Sequence, residues 1–484
     1  MTIDPESGIE RTMGLWGGTS LIVGCIVGTG IFSNGGSVLT LVGSPGMAMF
    51  MWLFGGVLAY FGGFSYTEWS LMIPESGGDT PYLEYAYKSP RQFFSFLYCF
   101  GRVLLVHTGY SAALSTVVGI YLTYAFPLSD SLKPYAEWVT KGIAVVAMTL
   151  VFLLCAFSNK VATKTTSIIT ILKIGMVLFV AVSGAAFALG AFPSVKRPVN
   201  PGGVFAGTST NPSDYASAIF KVAFAYDGWS MLSTSVGELK DPLRNIPRAI
   251  IGGVTIVTTL YIAANLSYFA ALSAIEIKST EAVLAAEFAS RLYGDFFGRK
   301  VMALLILVSA FGSCLGITFG ASRVVMEAGR RGFMPFSHHL AQVHPRFGTP
   351  FAALLFHYLI SLVLIVVPPG QDTFFFLVDA TGWPVWVLYT ITLVGLLVVR
   401  FREPAKDRLF KVWIVCPLVV IATGIFLSVL PFFKGGSTTY AALVGAGLMI
   451  SALPAYYWIV YRRLPKREPA IPASEEYAKK ALSS

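Results

Sequence analysis

The sequence predicts an all-α membrane protein of twelve transmembrane helices, the first and sixth of them interrupted. Three observations lead there. Of the 484 residues 55% are hydrophobic and 12% charged, and the mean hydropathy is +0.69. Soluble globular chains carry roughly 25% charged residues, so a soluble surface for a chain this long cannot be assembled. The apolar residues gather in runs long enough to cross roughly 30 Å of hydrocarbon as helices of ~20 residues. Glycine interrupts two of these runs in a way not seen in the others. The composition excludes an ordinary cytosolic enzyme and a disordered scaffold.

The predicted spans are 15–41, 46–73, 92–125, 138–157, 165–191, 214–237, 249–275, 299–322, 350–370, 373–399, 412–432 and 438–461. They leave tails of 1–14 and 462–484 and no room for a soluble domain. An even count puts both tails on one side. On that side lie 23 of the 35 Lys and Arg; nine lie in the opposite loops and their flanks, and Arg102, Lys173 and Lys221 sit within spans. Positive charge marks the cytoplasmic side, so both termini are expected there. The basic residues are spread over short loops without forming a basic domain, and no nucleic acid partner is expected. Met1–Thr12 is polar and the run after it is too long for a signal peptide, so the first span is expected to persist. Cys25, Cys99, Cys155, Cys314 and Cys416 all fall in apolar runs. An odd number placed this way reads as small apolar filler, with no disulfide framework and no zinc site.

The two interruptions occupy matching places. Span 1 reads Gly24-Cys25-Ile26-Val27-Gly28-Thr29-Gly30-Ile31-Phe32, and span 6 reads Phe224-Ala225-Tyr226-Asp227-Gly228-Trp229-Ser230. They open two halves of five spans, 15–191 and 192–400, with 401–461 holding two further helices. Because five is odd, the second half starts from the opposite side, and any repeat is inverted. Paired Gly-interrupted spans in corresponding positions point to a transporter's substrate site, although glycine also serves close helix packing.

A helix broken at mid-membrane exposes N–H groups with partial positive charge at one end and bare carbonyls at the other. The amides at Thr29, Gly30 and Ile31 suit a carboxylate, and glycine at 28 and 30 removes the Cβ that would hold a ligand off the backbone. The carbonyls of Ile26, Phe224 and Ala225 suit an ammonium. An anion site beside a cation site matches an α-amino acid zwitterion. Asp227, a carboxylate costing ~2.5–3.5 kcal/mol at the bilayer centre, reads either as the partner of a substrate ammonium or as an ion pair with Lys221. Phe224 reads as a gate over the ligand or as a packed aromatic. Lys173 lies roughly 13 Å, at 1.5 Å per residue, from the cytoplasmic Lys164. An ammonium there can stand in for a coupling cation or carry a proton. His107 and His357 read as core histidines, and His338, His339 and His344 lack the companions of a zinc site.

These residues resemble the L-type amino acid transporter family of the amino acid–polyamine–organocation superfamily, over nearly the whole chain. The resemblance is carried by Ile26 to Phe32, Gly43-Ser44-Pro45-Gly46, Ser76-Gly77-Gly78 with Pro81-Tyr82-Leu83-Glu84, and Phe224 to Trp229. It continues through Glu238 with Asp241-Pro242-Leu243-Arg244-Asn245-Ile246-Pro247, and His344-Pro345 before Thr349-Pro350. It implies the leucine-transporter fold, a 5+5 inverted repeat followed by two extra helices, and sodium-independent amino acid exchange between spans 1 and 6. The family's carboxylate-binding motif falls on Gly28, Thr29 and Gly30, its gating aromatic on Phe224 and its span-5 lysine on Lys173. Animal members join a glycoprotein through a cysteine between spans 3 and 4. The loop Phe126 to Glu137 has none, so no disulfide-linked heavy chain is expected, and Pro81 to Glu84 is similar to fungal members. Asp227 stands where many neutral-substrate members carry glycine, which resembles exchangers that also take dibasic amino acids.

The sequence therefore reads as an amino acid exchanger of the plasma membrane working by alternating access, with membrane lipids around it and no cofactor. Proton-coupled symport is the alternative within that class. A nutrient receptor is a further alternative, as is a membrane-embedded enzyme using Glu68, Glu75, Asp79 and Glu84.

Overall fold

In the computed structural model, residues 13–462 are described apart from 74–77, 158, 199–202, 281–282, 346, 369–372 and 407. Residues 1–12 and 463–484 of the predicted tails lie outside the described residues, as do Glu75, Ser76 and Gly77. The chain folds into helices from end to end and forms no strand among the described residues. In order these are α1 Leu15–Ile26, α2 Gly30–Val42, α3 Pro45–Met72, α4 Thr80–Ala86, α5 Phe93–Gly101 and, after a π turn Arg102–Val106, α6 His107–Ala125. Then come α7 Ala136–Phe157, α8 Asn159–Ala188 and α9 Pro212–Tyr226. A 3-10 segment, Met231–Glu238, leads into α10 Pro242–Ala271, α11 Ala274–Thr280, α12 Leu284–Tyr293, α13 Ala303–Arg330 and α14 Ser337–Leu340. The last are α15 Phe351–Val366, α16 Thr373–Arg402, α17 Val415–Val429, α18 Pro431–Lys434 and α19 Gly436–Tyr456.

Each of the twelve predicted windows contains helix. Among the described residues nine helical stretches are long and apolar enough to cross a membrane, and the pair α1–α2, bent by 48°, makes a tenth. The two windows that fall short hold α9, of 15 residues, and α15, of 16. The first stops at a break in its span; the second reaches about 24 Å at 1.5 Å per residue. Several helices also outrun their predicted inner ends. Arg323 and Arg330, counted in the sequence as loop residues, lie within α13. Arg323 stays helical because its guanidinium lies over the Phe319 ring and donates to the Phe319 carbonyl at 2.7 Å, so the charge needs no loop to reach a polar partner.

Local sequence sets the ends that matter. Gly43 closes α2 with a left-handed φ of 84° and Pro45 opens α3 at its first turn, the arrangement expected of a glycine C-cap followed by proline at N1. Asn211 caps α9 by accepting from the Ser213 amide at 3.0 Å, and Pro212 follows it. The C-terminal end of α2 is tied to the approach to α9: the Ser209 amide donates to the Val42 carbonyl at 2.9 Å, and the Ser44 and Thr208 hydroxyls lie 2.7 Å apart. Nearer the start of α2, Asn34 Nδ2 donates to the Lys221 carbonyl at 2.8 Å.

Small residues on α3 seat the neighbouring elements. A Cβ on Gly62 would fall 2.9 Å from the Trp229 ring, and one on Gly55 would collide with Val222. On the adjoining rows Gly56 meets Thr258 and Gly63 meets Ile250 of α10. Close approach of backbones, where lipid supplies no hydrophobic drive, is what such stripes provide. Of the acids considered for an enzyme site, the three among the described residues each have partners of their own. Glu68 is clasped by Arg400, whose Nε donates at 2.9 Å, and by Arg408 at 3.4 Å. Glu84 pairs with Arg331 at 2.6 Å, and Asp79 accepts from Thr392 at 2.8 Å and from Tyr66.

Candidate functional site

Both interruptions fall where the glycines predict them. In span 1 the helix ends at Ile26, Val27 turns extended, and α2 restarts at Gly30 with Thr29 as its N-cap. In span 6 the helix ends at Tyr226, Asp227 is extended, and Gly228 takes a φ of 135°, which a residue bearing Cβ rarely adopts. The two breaks touch directly. A Cβ on Gly30 would sit 2.7 Å from the Ala225 Cα, and one on Gly228 would sit 3.0 Å from the Ile26 amide nitrogen. At Gly28, by contrast, the nearest atoms are 3.8 Å away, the Ile26 carbonyl and the Ser313 hydroxyl. The two glycines read together from sequence thus differ: Gly30 lets helix meet helix, and at Gly28 a methyl would make only ordinary contacts.

Tyr261 of α10 fastens this junction. Its hydroxyl lies 2.9 Å from the Ile26 carbonyl and 3.0 Å from the Ala225 carbonyl, so one proton is shared between the two bared ends. Each carbonyl keeps a second lone pair. Tyr261→Phe is expected to leave both carbonyls poorer by that donor and to destabilise the fold by about 1–3 kcal/mol, the cost of unsatisfied buried groups. Thermal unfolding in detergent checks this; an unchanged midpoint contradicts the fastening role.

The start of α2 carries the polar groups expected of an anion site. Thr29 and Ser33 are fully buried; the Thr29 hydroxyl has no hydrogen-bond partner among the described residues, and the Ser33 hydroxyl faces the phenol of Tyr121. They lie beside the first amides of a helix, which have no intrahelical acceptor. Unpartnered buried polar groups are costly and call for a ligand or a water.

Asp227 is half-buried and does not pair with Lys221. Its Oδ1 accepts from the Tyr389 hydroxyl at 2.8 Å and its Oδ2 from Tyr110 at 2.9 Å, which leaves further lone pairs on both oxygens. Lys221 turns instead to Asp379 of α16, at 2.7 Å, because that carboxylate faces it across the helix interface. The ion-pair alternative read from sequence is therefore corrected, since Lys221 has its own counter-ion. Phe224 packs edge-on between Tyr110 and Phe374, at centroid distances of 5.2 and 6.1 Å. A cavity of about 20 Å³ adjoins Phe224, Asp227, Tyr110 and Tyr389, enough for roughly one water. Lys173 of α8 donates to the Ser313 hydroxyl of α13 at 2.7 Å, and that hydroxyl is one of the two atoms nearest Gly28.

Four tyrosines and an arginine escaped the sequence reading. Tyr110, Tyr389, Tyr261 and Tyr66 are four of 22 tyrosines, and nothing in their neighbours distinguishes them. Arg102 carried a signal, as a cation deep in a span. The cysteine reading needs one correction: Cys99, Cys155, Cys314 and Cys416 are buried, but Cys25 is exposed, because it lies on the last turn before the break, where α1 no longer packs on all sides. His357 is fully buried with Nε2 at 3.0 Å from the Ser111 hydroxyl.

Comparison with known proteins bears on what this arrangement serves. Residues 13–453 match the model of the amino acid permease family. The chain is 30% identical to the mouse b(0,+)-type amino acid transporter 1 over 94% of its length and 88% of that protein's. It is 29% identical to the serine/threonine exchanger SteT of Bacillus subtilis over 95% and 99%, and 31% identical to the mouse Asc-type amino acid transporter 1 over 95% and 83%. With the family model covering most of its length and relatives at 30% identity along nearly all of it, the chain belongs to the L-type amino acid transporter family of the amino acid permeases, integral membrane transporters and not enzymes.

Proposed function

We propose that the protein exchanges L-amino acids across the plasma membrane by alternating access, without sodium, taking neutral substrates and through Asp227 dibasic ones. The observation that carries this is the buried, unpartnered hydroxyl of Thr29 at the start of α2. It and the amides of Thr29, Gly30 and Ile31 take the substrate carboxylate. The free lone pairs of Ile26, Phe224 and Ala225 and the Asp227 carboxylate take its ammonium groups, and Phe224 closes over the ligand. Lys173 serves as the fixed cation that a coupling ion would otherwise supply. Residues 15–191 and 192–400 form the two inverted repeats, and both termini are cytoplasmic. The relative named a serine/threonine exchanger supports exchange.

The test is counterflow in proteoliposomes with a panel of unlabelled amino acids. Preloading the lumen should accelerate uptake several-fold, and uptake indifferent to preloading contradicts exchange. Proton symport is the second reading, favoured by one observation: Lys173 makes no ion pair among the described residues, only the bond to Ser313. Uptake that follows an imposed pH gradient selects it. Asp227→Gly is expected to lower lysine or arginine transport about tenfold more than leucine transport; equal losses would show that the carboxylate only holds Tyr110 and Tyr389.

A further inference from the structure

Arg102 is a cation almost completely enclosed by protein, with a relative exposure of 6%, at the start of the π turn that interrupts span 3. Such turns concentrate at functional sites. Its guanidinium lies over the rings of Tyr98 and Tyr389, at 5.4 and 5.2 Å, and its Nε has no hydrogen-bond partner among the described residues. Two carboxylates flank it electrostatically, Asp79 and Asp227. Each is held by phenols and hydroxyls and not by the guanidinium: Asp79 by Tyr66 and Thr392, Asp227 by Tyr110 and Tyr389. Tyr389 links Asp227 to Arg102, donating its proton to the carboxylate while its ring face carries the guanidinium.

Among the described residues, the buried or half-buried charges around the breaks include three cations, Arg102, Lys173 and Lys221, and three anions, Asp79, Asp227 and Asp379. Lys221 and Asp379 cancel by direct contact at 2.7 Å. The other four make no direct ion pair among the described residues, so their fields reach into the site with little local cancellation, and in a low-dielectric interior such fields act over many ångströms. With every group ionised the sum is zero, which matches a zwitterion. A dibasic substrate adds one positive charge to this balance.

From this geometry we infer that Arg102 is a specificity-setting residue, which acts through Tyr389 to weaken the pull of Asp227 on cationic side chains and so keeps the site open to neutral amino acids. The inference rests on the exchanger reading above and extends it to a residue that does not touch the ligand. It makes the interior charge sum, and not Asp227 alone, the selector of substrate charge. Asp79, equally remote from the ligand, acts in the opposite sense.

The test compares R102Q, D79N and the double variant D79N/R102Q in proteoliposomes. The reading is the ratio of competition by lysine to competition by the best neutral amino acid of the panel. R102Q should raise the ratio about tenfold, D79N should lower it by a similar factor, and the double variant should return near the wild-type value, as should R102K. A merely structural role predicts that both single changes lower all uptake together. An unchanged ratio in R102Q, or shifts of the same sign in both singles, overturns the assignment. Should R102Q fail to fold, D79N against the double variant gives the same contrast, and equal ratios there overturn it. Wild-type protein that moves no amino acid defeats the exchanger reading instead, whatever the variants do.

Discussion

Gly30→Ala is expected to abolish transport of every substrate and to lower the melting temperature, whereas Gly28→Ala should abolish transport and leave melting unchanged. At Gly30 the added methyl falls 2.7 Å from both the Cα and the Cβ of Ala225. Neither atom is the end of a flexible side chain, so α2 or α9 must move as a body, and a shift of α9 draws the Ala225 carbonyl away from Tyr261. Overpacking of this kind costs about 1–3 kcal/mol and sometimes more. At Gly28 the nearest protein atoms stand 3.8 Å off, an ordinary contact, so the methyl intrudes only on what enters the site. Thermal unfolding and uptake measured on the same preparations separate the cases. Normal melting of the Gly30 variant would refute the helix contact, and normal uptake by the Gly28 variant would refute a ligand at that backbone.

The second large effect concerns the buried ion pair between Lys221 and Asp379. Asp379→Ala should destabilise the protein by about 3–5 kcal/mol, because it leaves the Lys221 ammonium buried without its counter-ion. Lys221 has a side-chain exposure of 4% and its remaining partners are the Phe375 carbonyl at 3.2 Å and the Phe375 ring, which do not replace a carboxylate. The paired replacement Lys221→Met with Asp379→Leu removes both charges at similar volume and is expected to recover most of the loss, since buried pairs seldom outweigh their own desolvation. Unfolding midpoints of the single and double variants check this. A double variant as unstable as the single one would mean that the pair contributes geometry that apolar packing cannot supply.

Much of this was legible in the sequence because the strongest signals are backbone signals. Glycine at 28, 30 and 228 marks where helices stop, and α1 and α9 do stop beside them. Apolar length placed a helix in each predicted window; among the described residues ten of these are long and apolar enough to cross a membrane when the bent pair counts as one. Asp227 stood out because a carboxylate in a run such as Phe224–Trp229 has no apolar reason to be there. What stayed hidden depends on partners distant in sequence. Lys221 and Asp227 lie on one helix and its end, six residues apart, yet the carboxylate that meets Lys221 is 158 residues away. The tyrosines around Asp227 come from α6 and α16, and a phenol in a membrane helix reads as ordinary apolar bulk until its hydroxyl is placed. Helix ends on the inner side were misjudged because arginine tails fold back on aromatic rings, so charge alone did not mark the water boundary.

Helices α2 and α9, one from each interrupted span, are joined at three heights: at one end through Val42 and Ser209, midway through Asn34 and Lys221, and at the other where Gly30 meets Ala225. A strut braced that way pivots and does not scissor. Whatever swings aside to release a substrate must carry both segments in step, so tethering one to the other with an engineered cross-link should cost the carrier no turnover. Tethering either one to α16 should stall it.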